Sequence, residues 1–173
     1  MLSTIALFAS SRRHGNTGQL MDQIAQALEI EVIDLGDKVI SAYDYQHRNR
    51  NDDFEGVMER VLGFEQIIFA SPVYWYAVSA PMKTFLDRIS DFLDLPELLA
   101  QGRALRRKYA HVMCTSIVDD APPSFINAFQ ETFGYLGMRF GAVAHVNCSD
   151  GYIPARHEDE VQSFIRTVRN GPI

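Results

Sequence analysis

Five apolar runs of strand length, each parted from the next by a stretch of helical period, constrain this chain more than any other feature of it. The runs are STIALF (3–8), EVIDL (31–35), QIIFA (66–70), YAHVMCT (109–115) and AVAHVNC (142–148). Between and after them apolar residues recur every three or four positions: Leu20, Ile24 and Leu28; Val57, Val61 and Leu62; Met82, Phe85, Leu86, Ile89 and Leu93; Ile126, Phe129, Phe133 and Leu136; Val161, Phe164, Ile165 and Val168. Strands that are apolar throughout need cover on both faces, and interleaved helices supply it. The pattern predicts an α/β fold around a five-stranded parallel sheet. Breakers agree with it: Pro122 and Pro123 open the fourth helix, Gly134 and Gly137 close it, and Pro96 separates the third helix from LPELLAQG. Residues 36–52, GDKVISAYDYQHRNRND, fit neither period and read as a long connection.

A chain of 173 residues suits one domain, taken here as 1–173. Its net charge of −6 gives no general attraction to nucleic acid or to anionic membranes, both of which rely on surplus Lys and Arg. The apolar run near the start is too short for a signal core and far too short for a membrane span, so the cytoplasm is expected. Cys114 and Cys148 lie far apart without metal-ligand spacing and read as reduced, buried thiols. No metal site is expected.

In open parallel sheets ligands gather beyond the carboxyl ends of the strands. The first strand end reads FASSRRHGNTG. Asn16, with Gln19 three residues on, is placed to cap the following helix, which turns its first-turn amides into the loop. Arg12 and Arg13 add positive charge, Ser10, Ser11 and Thr17 add hydroxyls, and Gly15 lets the backbone curl closely, so the turn suits an anion. Neither a GxxxxGKS/T loop nor a GxGxxG turn is present, which leaves a cup for one terminal phosphate. A polar turn merely capped by Asn16 would use the same residues. The third strand end, SPVYWYAVSAP, places Pro72, Val73, Tyr74, Trp75 and Tyr76 where a polar loop is expected. A planar apolar ligand would account for them, as would cover for the core or a subunit contact. Ser79 stands at the N-cap of the next helix, with Pro81 in its first turn.

SSRRHGNT followed by ASPVYWYAVSAPMKTFLDR resembles the flavodoxin-fold NADPH-dependent FMN reductase and quinone reductase family, with its iron-sulfur flavoprotein relatives. The likeness covers roughly residues 3–92; beyond Asp91 only the order of elements matches. It implies a flavodoxin-like three-layer sandwich with strand order 2-1-3-4-5 and helices on both faces. It further implies that Ser10, Arg12, Asn16 and Thr17 hold the FMN phosphate and that Pro72, Val73, Tyr74 and Trp75 line the isoalloxazine. Thr115 and Ser116 would approach the ribityl chain or the pyrimidine edge. The departures are Ala9 where the family has Gly, Ser11 where Pro is frequent, and Asp119 and Asp120 where the fourth strand end is commonly glycine-rich. The cysteine cluster of the iron-sulfur relatives has no counterpart in SAYDYQHRNRN.

By the same resemblance the chain would be an oxidoreductase passing electrons from NADPH or NADH through FMN to a small acceptor such as a quinone, an azo or nitro compound or a flavin. The flavin carries the chemistry and no side-chain nucleophile is needed. Backbone amides of the 72–76 loop are placed to donate to the flavin ring. An electron-carrying flavodoxin that binds FMN without oxidising NAD(P)H is the alternative, and a homodimer or homotetramer is the implied assembly. His111 and His145 read as satisfied core residues, and Arg103, Arg106, Arg107 and Lys108 as a solvated basic face.

Overall fold

The computed structural model describes residues 2–171. The five apolar runs are strands: β1 (Thr4–Phe8), β2 (Glu31–Asp34), β3 (Gln66–Pro72), β4 (Tyr109–Ser116) and β5 (Arg139–Asn147). All pair in parallel, in the order β2-β1-β3-β4-β5, as the resemblance implied. On one face lie α1 (Asn16–Leu28) and α7 (Glu158–Asn170); on the other lie α2 (Phe54–Leu62), α3 (Ala80–Arg88) and α6 (Pro123–Tyr135). Two short helices, α4 (Asp91–Asp94) and α5 (Leu99–Ala104), precede β4.

The alternation of side chains along each strand divides the core in two. Ile5, Leu7 and Ala9 face the α2–α3–α6 side, whereas Ala6 and Phe8 face α1 and α7. The first side is aromatic: the Phe69 ring lies 4.6 Å from that of Phe133, and Phe125 lies 5.3 Å from Phe129. Truncating a ring such as Phe133 to Ala would cost about 3–5 kcal/mol through lost burial and the cavity left behind. Helix α7 carries Glu158, Asp159 and Glu160 in its first turn and Arg169 in its last, each complementing the helix dipole. No helix among the described residues is long and apolar enough to cross a membrane.

Three details depart from the sequence expectations. The helix expected to run from Met82 to Leu93 breaks after Arg88 and resumes at Asp91. Strand β5 starts at Arg139 rather than at residue 142, because it contains a bulge opposite His111: Ala110 pairs with Phe140, but Val112 pairs with Val143. A Cβ on Gly141 would lie 2.5 Å from the His111 ring, so glycine is what allows the bulge to close there. The basic run is not wholly a solvated face, since Lys108 is buried and its Nζ donates to the carbonyls of Leu62 and Phe64.

The 36–52 connection hangs on one buried cation. Arg88, 1 % exposed at the end of α3, donates through Nη1 to Asp52 at 2.6 Å and to the Ser41 carbonyl at 3.0 Å, and through Nη2 to the Asn49 carbonyl at 2.7 Å. Its Nε donates to Asp91 at 2.8 Å, and the guanidinium lies over the Phe54 ring. Asp52 also accepts from the Ser41 and Phe54 amides. Burial opposes its charge, but Arg88 and these amides prevail and hold its carboxyl below the usual range.

Candidate functional site

The carboxyl ends of β1, β3 and β4 meet where the strand order reverses, with β2 to one side of β1 and β3 to the other. A cavity of about 300 Å³ opens there. Ser10, Arg12, Gly15, Asn16 and Thr17 line it from the β1–α1 turn, Pro72, Val73 and Tyr74 from the end of β3, and Thr115, Ser116 and Ile117 from the end of β4. Cys148, just past β5, completes the wall.

The turn is shaped by two glycines. Gly15, not Asn16, occupies the N-cap of α1, and no side chain caps the helix. This corrects the sequence expectation: Asn16 is already the first helical residue, and its Oδ1 accepts from the Tyr152 amide at 3.2 Å instead. A glycine cap has no oxygen to offer, so the first-turn amides stay unclaimed and face the loop. Gly18 is needed for a second reason, since a Cβ there would fall 1.7 Å from the Arg13 carbonyl oxygen.

The two arginines separate. Arg13 binds Asp22 at 2.5 Å and stands 3.8 Å from Asp34, which neutralises it away from the cavity. Arg12 lines the cavity and has no carboxylate partner among the described residues. Its amide donates to the Ser10 hydroxyl at 3.4 Å. Thr17 is buried, and its hydroxyl meets that of Thr115 at 2.7 Å, tying the turn to the end of β4. Ser116 bonds the His145 Nε2 at 2.7 Å and the Val118 carbonyl, so His145 braces the cavity wall instead of serving only the core.

The aromatic segment forms a two-residue hairpin. The Tyr74 amide donates to the Ala77 carbonyl at 2.9 Å, and the Ala77 amide returns to the Tyr74 carbonyl at 3.0 Å. Trp75 and Tyr76 between them have φ of 49° and 62°, the signature of a type I′ turn, which Asn and Gly ordinarily occupy. Two bulky residues held there store backbone strain. The hairpin is anchored at its base: the Tyr74 phenol meets the Ser11 hydroxyl at 2.7 Å, and Ser124 donates to the Tyr76 carbonyl. Burial raises the Tyr74 phenol, but the hydrogen bonds of Ser11 and Ser10 and the charge of Arg12 outweigh it and bring it below its usual value. Ser79 holds the N-cap position of α3, yet its hydroxyl donates to the Ala9 carbonyl at 2.8 Å and locks the hairpin's exit against β1.

Nine of the ten residues marked from the sequence therefore line one cavity. Trp75 does not: it is 94 % exposed at the hairpin tip. Of the 72–76 amides, those of Val73 and Tyr74 are spent on the carbonyls of Thr115 and Ala77, and Pro72 has none, so only Trp75 and Tyr76 keep an amide free among the described residues. Neither Asp119 nor Asp120 lines the cavity, and Asp119 accepts from Asn147 Nδ2 at 2.9 Å. Ile117 and Cys148 join the lining without a signal in either motif. Burial pushes the Cys148 thiol up to about 11, so it stays protonated at neutral pH. A larger hollow of about 650 Å³ beside β2 contains many charges, most of them claimed: Arg60 pairs with Glu31, Arg13 with Asp34, Asp52 with Arg88, and Asp53 accepts from the Val39 amide.

The donor set of the smaller cavity fits FMN. An uncapped helix end beside an unpaired guanidinium and the Ser10 hydroxyl suits a phosphate dianion. Pro72, Val73 and Tyr74 offer a mostly apolar edge for a flat ring system.

Comparison with known proteins agrees. The family model described as NADPH-dependent FMN reductase matches residues 2–151. The chain is 31% identical over 140 residues to the "Putative NAD(P)H-dependent FMN-containing oxidoreductase YwqN" of Bacillus subtilis (strain 168), covering 75% of this chain and 76% of that protein. It is 27% identical over 109 residues to an iron-sulfur flavoprotein of Archaeoglobus fulgidus, covering 56% of this chain and 50% of the other. Among solved structures, the Trp repressor binding protein from Bacillus subtilis shares the fold with a TM-score of 0.75 at 24% identity, over 98% of this chain and 99% of that one. An FMN-dependent NADH-azoreductase from Bacillus anthracis, solved with FMN, shares it with a TM-score of 0.70 at 10% identity, again over 98% and 99%.

Proposed function

The chain belongs to the NADPH-dependent FMN reductase family, and from that premise we propose that it is an oxidoreductase that uses NAD(P)H to reduce a small acceptor, a quinone, an azo or nitro compound or a flavin, by way of FMN seated in the cavity between β1, β3 and β4. FMN, when bound, supplies the hydride and electron chemistry. The chain supplies grip, orientation and access. In this reading Ser10, Arg12, Asn16 and Thr17, with the first-turn amides of α1, hold the phosphate. Pro72, Val73 and Tyr74 take the ring, Thr115 and Ser116 the chain between, and Trp75 stands at the rim. The free amides of Trp75 and Tyr76 lie on the same hairpin, where they are the loop's remaining donors. The whole chain, 1–173, acts as one FMN-binding domain, and the cytoplasm is its proposed location. A homodimer or homotetramer belongs to the same proposal: Tyr74, Trp75, Tyr76, Ile117 and Val118 are exposed around the cavity mouth, more apolar surface than one loop needs to show water.

The observation that carries the reading is that the uncapped end of α1 and the unpaired Arg12 share one cavity with the Pro72–Tyr74 wall. The test is anaerobic stopped-flow reduction of the FMN-loaded protein by NADH and by NADPH. Rapid bleaching of the flavin by either supports it. FMN binding without bleaching by either would point to the electron carrier instead, and a protein that binds no FMN would end both readings.

A further inference from the structure

We propose that Tyr152, in the segment after β5, is a positioning residue that fixes the Asn16 side chain as a hydrogen-bond donor toward the ligand's anionic group. Asn16 lines the cavity, and its Oδ1 accepts the Tyr152 amide at 3.2 Å across 136 positions of sequence. An N–H can be met only by the amide's oxygen, so this one bond decides which way the side chain faces. Oxygen turned to Tyr152 leaves Nδ2, with both its protons, on the other branch. No protein acceptor takes them among the described residues, and no buried side-chain nitrogen or oxygen there lacks a partner, so Nδ2 is open to solvent. Left free, an Asn amide would turn either end to a ligand, and its oxygen would repel a phosphate.

Tyr152 is itself held on three sides. Its phenol donates to Gln23 Oε1 at 2.5 Å, which ties it to the helix that begins with Asn16. Its ring stacks on His157 with an interplanar angle of 12°. The backbone reaches it through Gly151, whose φ of 86° follows a turn closed by Gly151 N–H to the Cys148 carbonyl, while Cys148 is bound to Ser116. The strap therefore runs from the cavity wall to the start of α1 and delivers one N–H to one side-chain oxygen.

The inference rests on the phosphate-holding role proposed for the α1 end, and the experiment separates the two. FMN and riboflavin, which has the same ring system without the phosphate, are titrated by fluorescence quenching into the full chain and into the Tyr152→Phe, Tyr152→Pro, Asn16→Ala and Asn16→Ala/Tyr152→Pro variants. Loss of the amide in Tyr152→Pro is expected to cut the preference for FMN over riboflavin about tenfold, the usual worth of a hydrogen bond to a charged group, and Asn16→Ala to cut it similarly. Tyr152→Phe, which keeps the amide, retains the preference, and the double variant loses no more than either single one. Equal weakening of both ligands by Tyr152→Pro, or a further fall in the double variant, would overturn the proposal by making Tyr152 a general support of the fold. A parent chain that binds riboflavin as tightly as FMN would refute the phosphate site itself and the positioning role with it. Should Tyr152→Pro fail to fold, as circular dichroism would reveal, NMR decides on the parent chain. The side-chain amide protons that vanish in Asn16→Ala must move downfield as FMN is added, and a fixed position overturns the proposal.

Discussion

Acidification offers a sharp test of how this core is built, because one fully buried imidazole has no way to accept a second proton. His111 is 0 % exposed in the middle of β4. Its Nδ1 accepts from the Ala142 amide at 2.9 Å, so Nε2 must carry the hydrogen, which goes to Gln66 Oε1 at 3.0 Å. Gln66 in turn donates to the Thr4 hydroxyl and the Val168 carbonyl, and Phe164 presents its ring at 6.1 Å. A proton added at Nδ1 would face the Ala142 N–H, donor against donor, with no counter-charge in reach. Burial pushes the His111 value down to about 4 from 6.5. The unfolded chain binds this proton near pH 6.5 and the folded chain only near pH 4, so the contribution is whole above 6.5 and is lost as the pH falls toward 4. Between about pH 7.5 and 5 the loss is about 2 kcal/mol, and near pH 4 it approaches about 3 kcal/mol. Urea denaturation at both pH values, on the parent chain and on His111→Gln, isolates the effect from the other histidines. The variant starts less stable but should lose about 2 kcal/mol less on acidification. Equal losses in the two proteins would show that His111 takes its proton while folded and would refute the reasoning.

Gly18→Ala should disrupt the α1 turn, because its methyl would fall 1.7 Å from the Arg13 carbonyl; a lower melting temperature and lost FMN binding are expected together. Trp75→Asn with Tyr76→Gly should stabilise the fold by about 1 kcal/mol or more by relieving two strained φ values, read as a higher urea midpoint. Arg88→Met strands Asp52 and Asp91 in a buried place and should cost about 3–5 kcal/mol, with proteolysis of the 38–53 segment reporting the released connection.

Strands and helices were legible because their cause is local and repeated: a buried parallel strand is apolar along nearly its whole length, as IALF in β1 is. What stayed hidden depends on single contacts between distant residues. The bulge that lengthens β5 needs His111 and Gly141 to meet across strands, and RFG, ahead of the AVAHVNC run, does not itself read as strand. Asn16 has the composition of a cap, yet its oxygen is claimed by a backbone amide 136 positions away, and Gly15 caps instead. The cavity's lining was readable from two motifs because their residues sit at strand ends that the topology gathers. The outward place of Trp75 was not, since it depends on a I′ turn that its residue types disfavour. Arg88 looks like an ordinary charge at a helix end, and the partners it holds in the connection lie 36 to 47 positions away. One signal did mark it: at three residues past Phe85 and four before Phe92 it shares the buried face.

That guanidinium grips its connection mainly by two peptide oxygens and one carboxylate, and asks nothing of the residues strung between them. Ser41 and Asn49 are held by their main chains, and between them His47 meets Asp91 at 2.8 Å and the Tyr43 phenol donates to Asp94 at 3.0 Å, so the tip at Tyr45 and Gln46 is the part free to change its letters and its length. Doubling such a span costs only about 0.6 kcal/mol in closure entropy. Evolution has here a cassette on a hook: a site of insertion whose new residues need not disturb the sheet that carries it.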